Sequence, residues 1–283
     1  MNTAILLVSC PDQKGITAKI SNFIYQHGGN IEHADQHIDS QTNTFFMRIE
    51  WSLDSFKIAK ENIVKAFSPL AAGFKMNWSL HASFEKPQMA VFVSRYTHCL
   101  YDLLLRYKSD QLNCHIPCII SNHPVARPIA KHFGIEFFEF KVTKKNKRPT
   151  ENRTITLLEK KHVEIIVLAR YTQILTKQFV EKFPNRVINI HHSFLPAFVG
   201  RKPYEKAYRR GVKIIGATSH YVTEQLDRGP IIEQDTVRVS HRDTFEDLKR
   251  KGEDLEKVVL NRAVRWHLER KVLAYNNKTV VFD

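Results

Sequence analysis

From residue 89 to residue 191 the chain repeats one pattern, a short apolar run followed by an amphipathic stretch. MAVFVS leads into HCLYDLLLRYKS and CIISN into PVARPIAKHFG. After IEFFEF come ITLLEKKH, VEIIVLAR and TKQFVEKF, and the series closes on RVINIH. Apolar strands separated by helices demand a sheet covered on both faces, because a strand that alternates with nothing polar has no side to give to water. A Rossmann-like α/β domain with a mostly parallel sheet is therefore expected over residues 89–283. The first strand runs into VSRYTHCL and not into a GxGxxG turn, so no dinucleotide fingerprint is present. Ligands of open sheets bind beyond the carboxyl ends of the strands. INIHH is one such end.

Residues 1–82 follow a different rhythm. TAILLVSC, NIEHADQHI, FFMRIEWSL and KMNWSLHA read as strands, and ITAKISNFIYQHGG and SFKIAKENIVKAFSPLAAGF read as helices. Ile16, Ile20, Phe23, Ile24 and His27 fall at helical spacing, and Gly28 with Gly29 supplies the stop. The order βαββαβ is the ferredoxin-like arrangement, which stands alone as a domain. SFEKPQ, residues 83–88, is polar, contains a proline and is expected to link the two domains.

Charge and cysteines narrow the class. The net charge of +14 calls for an anionic partner or a very soluble surface, and its densest cluster is KVTKKNKRP at residues 141–149. That cluster has no interleaved aromatics on which bases would stack, so it reads as a solvated loop and not as a nucleic-acid groove. A small polyanionic substrate uses the same positive field. Cys10, Cys99, Cys114 and Cys118 are too scattered for a disulfide framework, and the spacing of the last two is not that of a zinc knuckle. Core thiols are expected. No apolar run nears the roughly 20 residues of a membrane span, and the N-terminal run has neither a cationic lead nor a cleavage site. A cytoplasmic protein with no membrane partner is expected.

In the extended segment INIHHSFLPAF, alternation places Asn189 and His191 on one face and His192 on the other. An amide donor beside an imidazole is what acyl chemistry at a carbonyl requires, one group for the developing oxyanion and one to move a proton. The same pair also serves as a satisfied core contact. Downstream, KIIGATSHYVTEQLDRGPII supplies a strand with His220, then a loop with Asp227 that a hairpin-like return would hang over the mouth of the sheet. Asp227 is either a turn aspartate or the group that accepts a proton from water or orients His191. His220 is read two ways, as a core histidine or as a partner holding Asp227.

Asn189, His191 and Asp227, in the setting NIHHSFLPAFVG, KPYEKAYRRGVKIIGATSHYV and LDRGPII, resemble the Asn, His and Asp triad of the folate-dependent formyltransferase fold. Glycinamide ribonucleotide formyltransferase, methionyl-tRNA formyltransferase and formyltetrahydrofolate deformylase share that fold. HHSFLP is similar to the deformylase branch, the glycinamide enzymes usually carrying a proline where His192 stands. VLARYTQIL resembles the segment that cradles the pterin, which implies substrate contacts from Thr172, Gln173 and Leu175, with His192, His220 and Leu226 completing the pocket. The first domain resembles the ACT family, whose members pair edge to edge and bind amino acids at the loop corresponding to CPDQKG, residues 10–15. Structural pairing and ligand sensing both stay open for it. Two features depart from the family's pattern. Arg201 follows Gly200 where a small residue is common, and Thr172 and Gln173 stand where the branches vary.

The resemblance implies hydrolysis of 10-formyltetrahydrofolate to tetrahydrofolate and formate, with formate feeding purine synthesis and one-carbon pools kept in balance. Asp227 would help deprotonate water, and Asn189 with protonated His191 would stabilise the oxyanion. It implies no metal and no cofactor beyond the folate substrate, an amino-acid effector at the first domain, and a homo-tetramer or other homo-oligomer. A formyltransferase acting on an amine is the alternative within the fold, and a folate-binding sensor without turnover is the alternative outside it.

Overall fold

The computed structural model describes residues 2–197 and 203–283, and Gly200 with Arg201 lies outside the described residues. The chain divides into two compact units. The first holds residues 1–85 together with 269–273 and 280–283, and the second holds residues 86–268 and 274–279. The C-terminal tail therefore shares itself between the units, where a single run to residue 283 was expected in the second.

In the first unit, β1 (Thr3–Pro11), α1 (Ile16–Gln26), β2 (Ile31–Asp39), β3 (Thr44–Ser52), α2 (Lys60–Gly73) and β4 (Asn77–Ala82) follow the βαββαβ order. The strands form an antiparallel sheet in the order β2-β3-β1-β4. Leu6, Val8, Ile49 and Trp51 of the sheet pack with Ile16, Ile20 and Ile24 of α1 and with Ile63 and Phe67 of α2 in one core. The helical spacing of the apolar residues thus faces the helices onto the sheet, as period 3.6 requires. On β3, buried Arg48 donates to the carbonyls of Glu269 and Arg270 at 3.3 and 3.1 Å and pairs with Glu50 at 2.7 Å. That explains why the tail belongs to this unit. A guanidinium can satisfy carbonyls and a carboxylate together.

The second unit is built on a seven-stranded sheet in the order β11-β10-β9-β8-β5-β6-β7. β5 (Met89–Val93), β6 (Cys118–Ser121), β7 (Glu136–Glu139), β8 (Ile165–Ala169) and β9 (Val187–His191) run parallel. β10 (Ile214–Tyr221) is antiparallel to β9, and β11 (Ile231–Arg238) is antiparallel to β10. β5 and β8 are buried along their whole lengths, as strands covered on both faces must be. The helices are α3 (His98–Lys108), α4 (Arg127–Phe133), α5 (Lys147–Lys160), α6 (Lys177–Lys182), α7 (Pro203–Arg210) and α8 (Phe245–Leu268). The tail strands β12 (Val272–Tyr275) and β13 (Lys278–Val281) pair with each other.

One detail differs from expectation. The basic run at 141–149 is a loop only as far as Asn146, because α5 begins at Lys147. The charges of KKNKRP do not oppose a helix start when the residues that follow, from Thr150 to Leu158, bury a face. The four cysteines are all buried free thiols, and burial pushes both Cys114 and Cys118 up to about 12. No helix among the described residues is long and apolar enough to cross a membrane.

The chain order along the sheet reverses between β5 and β8: β6 and β7 lie on one side of β5, and β8 and β9 on the other. The connections leaving the carboxyl ends of neighbouring strands diverge at such a point and open a crevice.

Candidate active site

A cavity of about 1130 Å³ opens at that crevice. Its wall takes Tyr96 from the segment after β5, Arg170 to Leu175 from the segment after β8, Asn189 to His192 at the end of β9, His220 on β10, and Val222 to Asp227 from the loop between β10 and β11. α7 and α8 add Tyr204, Tyr208 and Lys249. Pockets for drug-sized organic ligands run from roughly 300 to 1,000 Å³, so this one has room for a long ligand.

The segment after β8 is fastened at both ends. Thr172 bonds through its backbone N–H and its hydroxyl to Ser94 Oγ at 3.0 and 3.1 Å, and Ser94 in turn donates to Asn122 Oδ1 at 2.6 Å. Thr176 caps α6 by accepting from the Phe179 amide at 3.3 Å, and Glu151 on α5 accepts from both its backbone and its hydroxyl. Arg170 begins the segment in the left-handed region, at φ +63°, an uncommon conformation for a residue with a side chain. Thr172, Gln173 and Leu175 stand on this wall, and Leu226 stands across from them on the β10–β11 loop.

Asn189, His191, His220 and Asp227 form one connected group. His191 Nδ1 is 3.3 Å from Asp227 Oδ2, and an ionised carboxylate only accepts, so Nδ1 carries a proton. Nε2 is then the nitrogen left for other work; it is buried and has no hydrogen-bond partner among the described residues. On the other side, His220 Nδ1 lies 2.9 Å from the Tyr221 carbonyl and so donates to it. Its Nε2 is therefore a lone pair, and it accepts from Asn189 Nδ2 at 3.2 Å. Burial holds His220 below its ordinary value, in keeping with that neutral tautomer. Its 3.8 Å separation from Asp227 Oδ1 then carries no hydrogen bond. His220 is both buried and functionally placed, and what it holds is Asn189.

Burial alone would raise the Asp227 carboxyl, but the hydrogen bond and charge of His191, with His220 and His192 nearby, keep it below its usual range. The loop that presents it is tightly made. Asp227 has φ +55°, the Arg228 carbonyl accepts from Asn277 Nδ2 at 2.9 Å, and Tyr221 N–H donates to the Pro230 carbonyl at 2.9 Å. A Cβ on Gly229 would lie 1.8 Å from the Tyr221 carbonyl oxygen, so this position admits no side chain.

His192 is placed differently from what alternation predicts. β9 ends at His191 and the chain turns, so both histidines line the cavity, their rings 5.2 Å apart. The turn is held by Thr218 on β10, which accepts from the Leu195 amide at 3.0 Å and donates to the Ser193 carbonyl at 2.8 Å. Period-two alternation applies only while the backbone stays extended. Burial and the nearby Arg170 pull His192 down to about 3, so its imidazole is neutral across the physiological range.

Beside this group lies a network that no motif announced. Glu256 of α8 is fully buried and meets His98 Nε2 at 2.8 Å, Arg170 Nε at 3.3 Å and the Tyr204 hydroxyl at 2.5 Å. His98, Cys99 and Glu256 bring a nitrogen, a sulfur and an oxygen within 4.8 Å of one another, as metal ligands do. The Arg170 cation on the same carboxylate oxygen as His98 makes this an ion network, since it would repel a second cation. The signal in the sequence was a carboxylate on a mostly apolar stripe, where Leu248, Gly252, Leu255, Val259, Leu260 and Ala263, with Asn261 beside them, are among the buried residues of α8.

Comparison with known proteins bears on the family and the fold. The formyl transferase family model matches residues 87–264, and the ACT domain model matches residues 4–57. The chain is 56% identical over 280 residues to formyltetrahydrofolate deformylase of Synechocystis sp., covering 99% of this chain and 98% of that relative. To formyltetrahydrofolate deformylase of Bacillus subtilis it is 49% identical, covering 98% of this chain and 93% of that one. A crystal structure of a formyltetrahydrofolate deformylase from Pseudomonas syringae pv. tomato superposes with a TM-score of 0.98 at 48% identity, covering 100% of this chain and 95% of that one.

Proposed function

Since the chain belongs to the formyltetrahydrofolate deformylase family, we propose that it hydrolyses 10-formyltetrahydrofolate to tetrahydrofolate and formate, and that the cavity at the β5–β8 switch point is where it does so. The observation that carries the assignment of the site is the meeting of Asn189, His191 and Asp227 at the carboxyl end of β9 inside that cavity.

Each group has a role that follows from its partners. Water attacks the formyl carbon and passes a proton to Asp227 as the new C–O bond forms. Asp227 is ionised at neutral pH and is a weak base, so the transfer proceeds together with attack and not ahead of it. The formyl oxygen becomes anionic and is met by the second N–H of Asn189 and by the Nε2–H of His191, which enters the step protonated on both ring nitrogens. His220 fixes the Asn189 amide with its nitrogen turned the right way, since the lone pair on Nε2 rejects the amide oxygen. Collapse of the adduct breaks the C–N bond as His191 gives its Nε2 proton to the departing folate nitrogen; formic acid leaves as formate, its proton goes to solvent, and the proton held by Asp227 passes back to the His191 imidazole to reset the site. Thr172, Gln173, Leu175 and Leu226 line the wall proposed to bind the folate, and the excess of positive charge suits its glutamate tail. The scheme needs no metal or cofactor besides the folate.

Formate so released supplies purine synthesis, and the hydrolysis balances one-carbon pools. The first unit is proposed to bind an amino acid at residues 10–15 and to pair with copies of itself in a homo-tetramer or other homo-oligomer. β2 and β4 are the two edges of the sheet, and β2, the one proposed to pair, is exposed over most of its length. Light scattering that returns a monomer would refute the pairing. The activity is tested by incubating the purified protein with 10-formyltetrahydrofolate and no acceptor. Formate and tetrahydrofolate rising together support hydrolysis; a formyl group recovered only on an added amine supports a transferase instead.

A further inference from the structure

Burying a carboxylate to 0% exposure is costly unless partners satisfy it, and Glu256 has them from three separate parts of the second unit. His98 comes from the start of α3, Arg170 from the end of β8 and Tyr204 from α7. Arg170 and Tyr204 both line the cavity. The Tyr204 ring meets the His192 ring edge-on at 5.7 Å and 61°, and the His192 ring lies 5.2 Å from that of His191. An unbroken chain of contacts thus runs from Glu256 through Tyr204 and His192 to His191.

The backbone is adapted to this chain of contacts at two places. Gly252 stands one helical turn before Glu256, and a Cβ there would lie 2.3 Å from the Tyr204 hydroxyl and ring. Glycine in a helix interior is less stable than alanine, so its presence has a local reason. Here it lets the Tyr204 ring lie against α8 with its hydroxyl on the Glu256 carboxylate. At the second place, Arg170 adopts φ +63°, a conformation that persists only where the surroundings hold it. Its guanidinium is held between Glu256 and the Tyr96 ring, the latter 5.2 Å away.

We propose that Glu256 is a positioning residue for the deformylation: its carboxylate, gripped by His98, Arg170 and Tyr204, sets the wall that keeps His192 against His191. The effect is confined to one side of the cavity. The proposed folate-binding segments, 171–175 and 222–226, are anchored through Ser94, Glu151 and the β10–β11 turn as well, so Glu256 touches the first of them only at its Arg170 end. Loss of the carboxylate therefore changes the chemical step and spares substrate binding. The inference rests on the deformylase reading for its kinetic consequence, but not for the placement of His192.

The test compares wild type with Glu256→Gln and Gly252→Ala. Glutamine keeps the volume of Glu256 but places an amide N–H where the carboxylate accepts from His98 and Tyr204, and it leaves Arg170 without its counter-charge. Alanine at 252 pushes Tyr204 away while improving the helix, so it covers the case in which Glu256→Gln does not fold. Both variants should lose about 10- to 100-fold in kcat for 10-formyltetrahydrofolate with KM unchanged, the size of effect that a small misplacement of a catalytic group produces. The imidazole resonances of His192 and His191 in ¹⁵N-histidine-labelled protein should shift in both. A folded variant with wild-type kcat overturns the proposal, whatever its melting temperature. If wild type itself releases no formate, the deformylase reading falls, and the imidazole resonances still decide the placement: unshifted signals overturn it.

Discussion

Asp227 meets His191 at Nδ1, with Oδ2 3.3 Å away, and that contact leaves Nε2 as the nitrogen able to face a substrate. Asp227→Asn removes both the proton acceptor and the charge that holds the Nδ1 proton. Formate release should fall by about 100- to 10,000-fold, the range for loss of a positioned acid-base group. Affinity for a non-hydrolysable folate analogue, measured by calorimetry, should be kept.

Asn189→Ala removes the proposed oxyanion donor while keeping the ladder bonds of β9, which are made by the backbone. Its effect should lie in kcat, at about 100- to 1,000-fold, with KM little changed. His220→Phe leaves the Asn189 amide present but free to turn, so a smaller loss of kcat is expected. Equal losses in the two variants would show that His220 acts on the substrate directly.

Stability should depend on pH through the buried imidazoles. His192 is held down to about 3 from an ordinary 6.5, and His220 is lowered as well. Between those values the unfolded chain binds protons that the folded chain does not, so stability is fully present above pH 6.5 and falls as the pH drops toward about 3. Asp227, whose carboxyl is lowered, adds stability that is present above the ordinary carboxylate value and is lost as the pH falls from there through its own depressed range. Urea midpoints followed across this window should fall for wild type and fall less steeply for His192→Asn. An identical slope in the variant would contradict a neutral, buried His192.

Gly229→Ala puts a methyl group into the Tyr221 carbonyl oxygen, 1.8 Å away. The backbone must move, and the loop that moves is the one presenting Asp227. A loss of about 1 to 3 kcal/mol in thermal or urea unfolding is expected, typical of forcing atoms into a filled site, together with a drop in kcat.

What was legible in the sequence was whatever depends on local period and chain order. Strands such as MAVFV and IIVLA declare a covered parallel sheet because no residue in them is compatible with water, and the βαββαβ order of the first unit follows from the same kind of pattern. The pairing of Asn189 with His191 was also local, being two residues on one strand. The placement of His192 was not, because it depends on where the strand stops, and that is set by Thr218 on a neighbouring strand. Glu256 is 86 residues from Arg170 in the sequence, and nothing in either segment names the other. Likewise the return of residues 269–273 to the first unit rests on Arg48, a single buried cation far away in the chain.

The central claim is that water, activated beside Asp227 and His191, takes the formyl group. Running the reaction in H₂¹⁸O and analysing the formate by mass spectrometry tests it most directly. Hydrolysis at the formyl carbon predicts formate carrying one ¹⁸O from solvent, formed at the same rate as tetrahydrofolate and lost in Asp227→Asn. Formate without the label, or a formyl group found only on an amine, would contradict it.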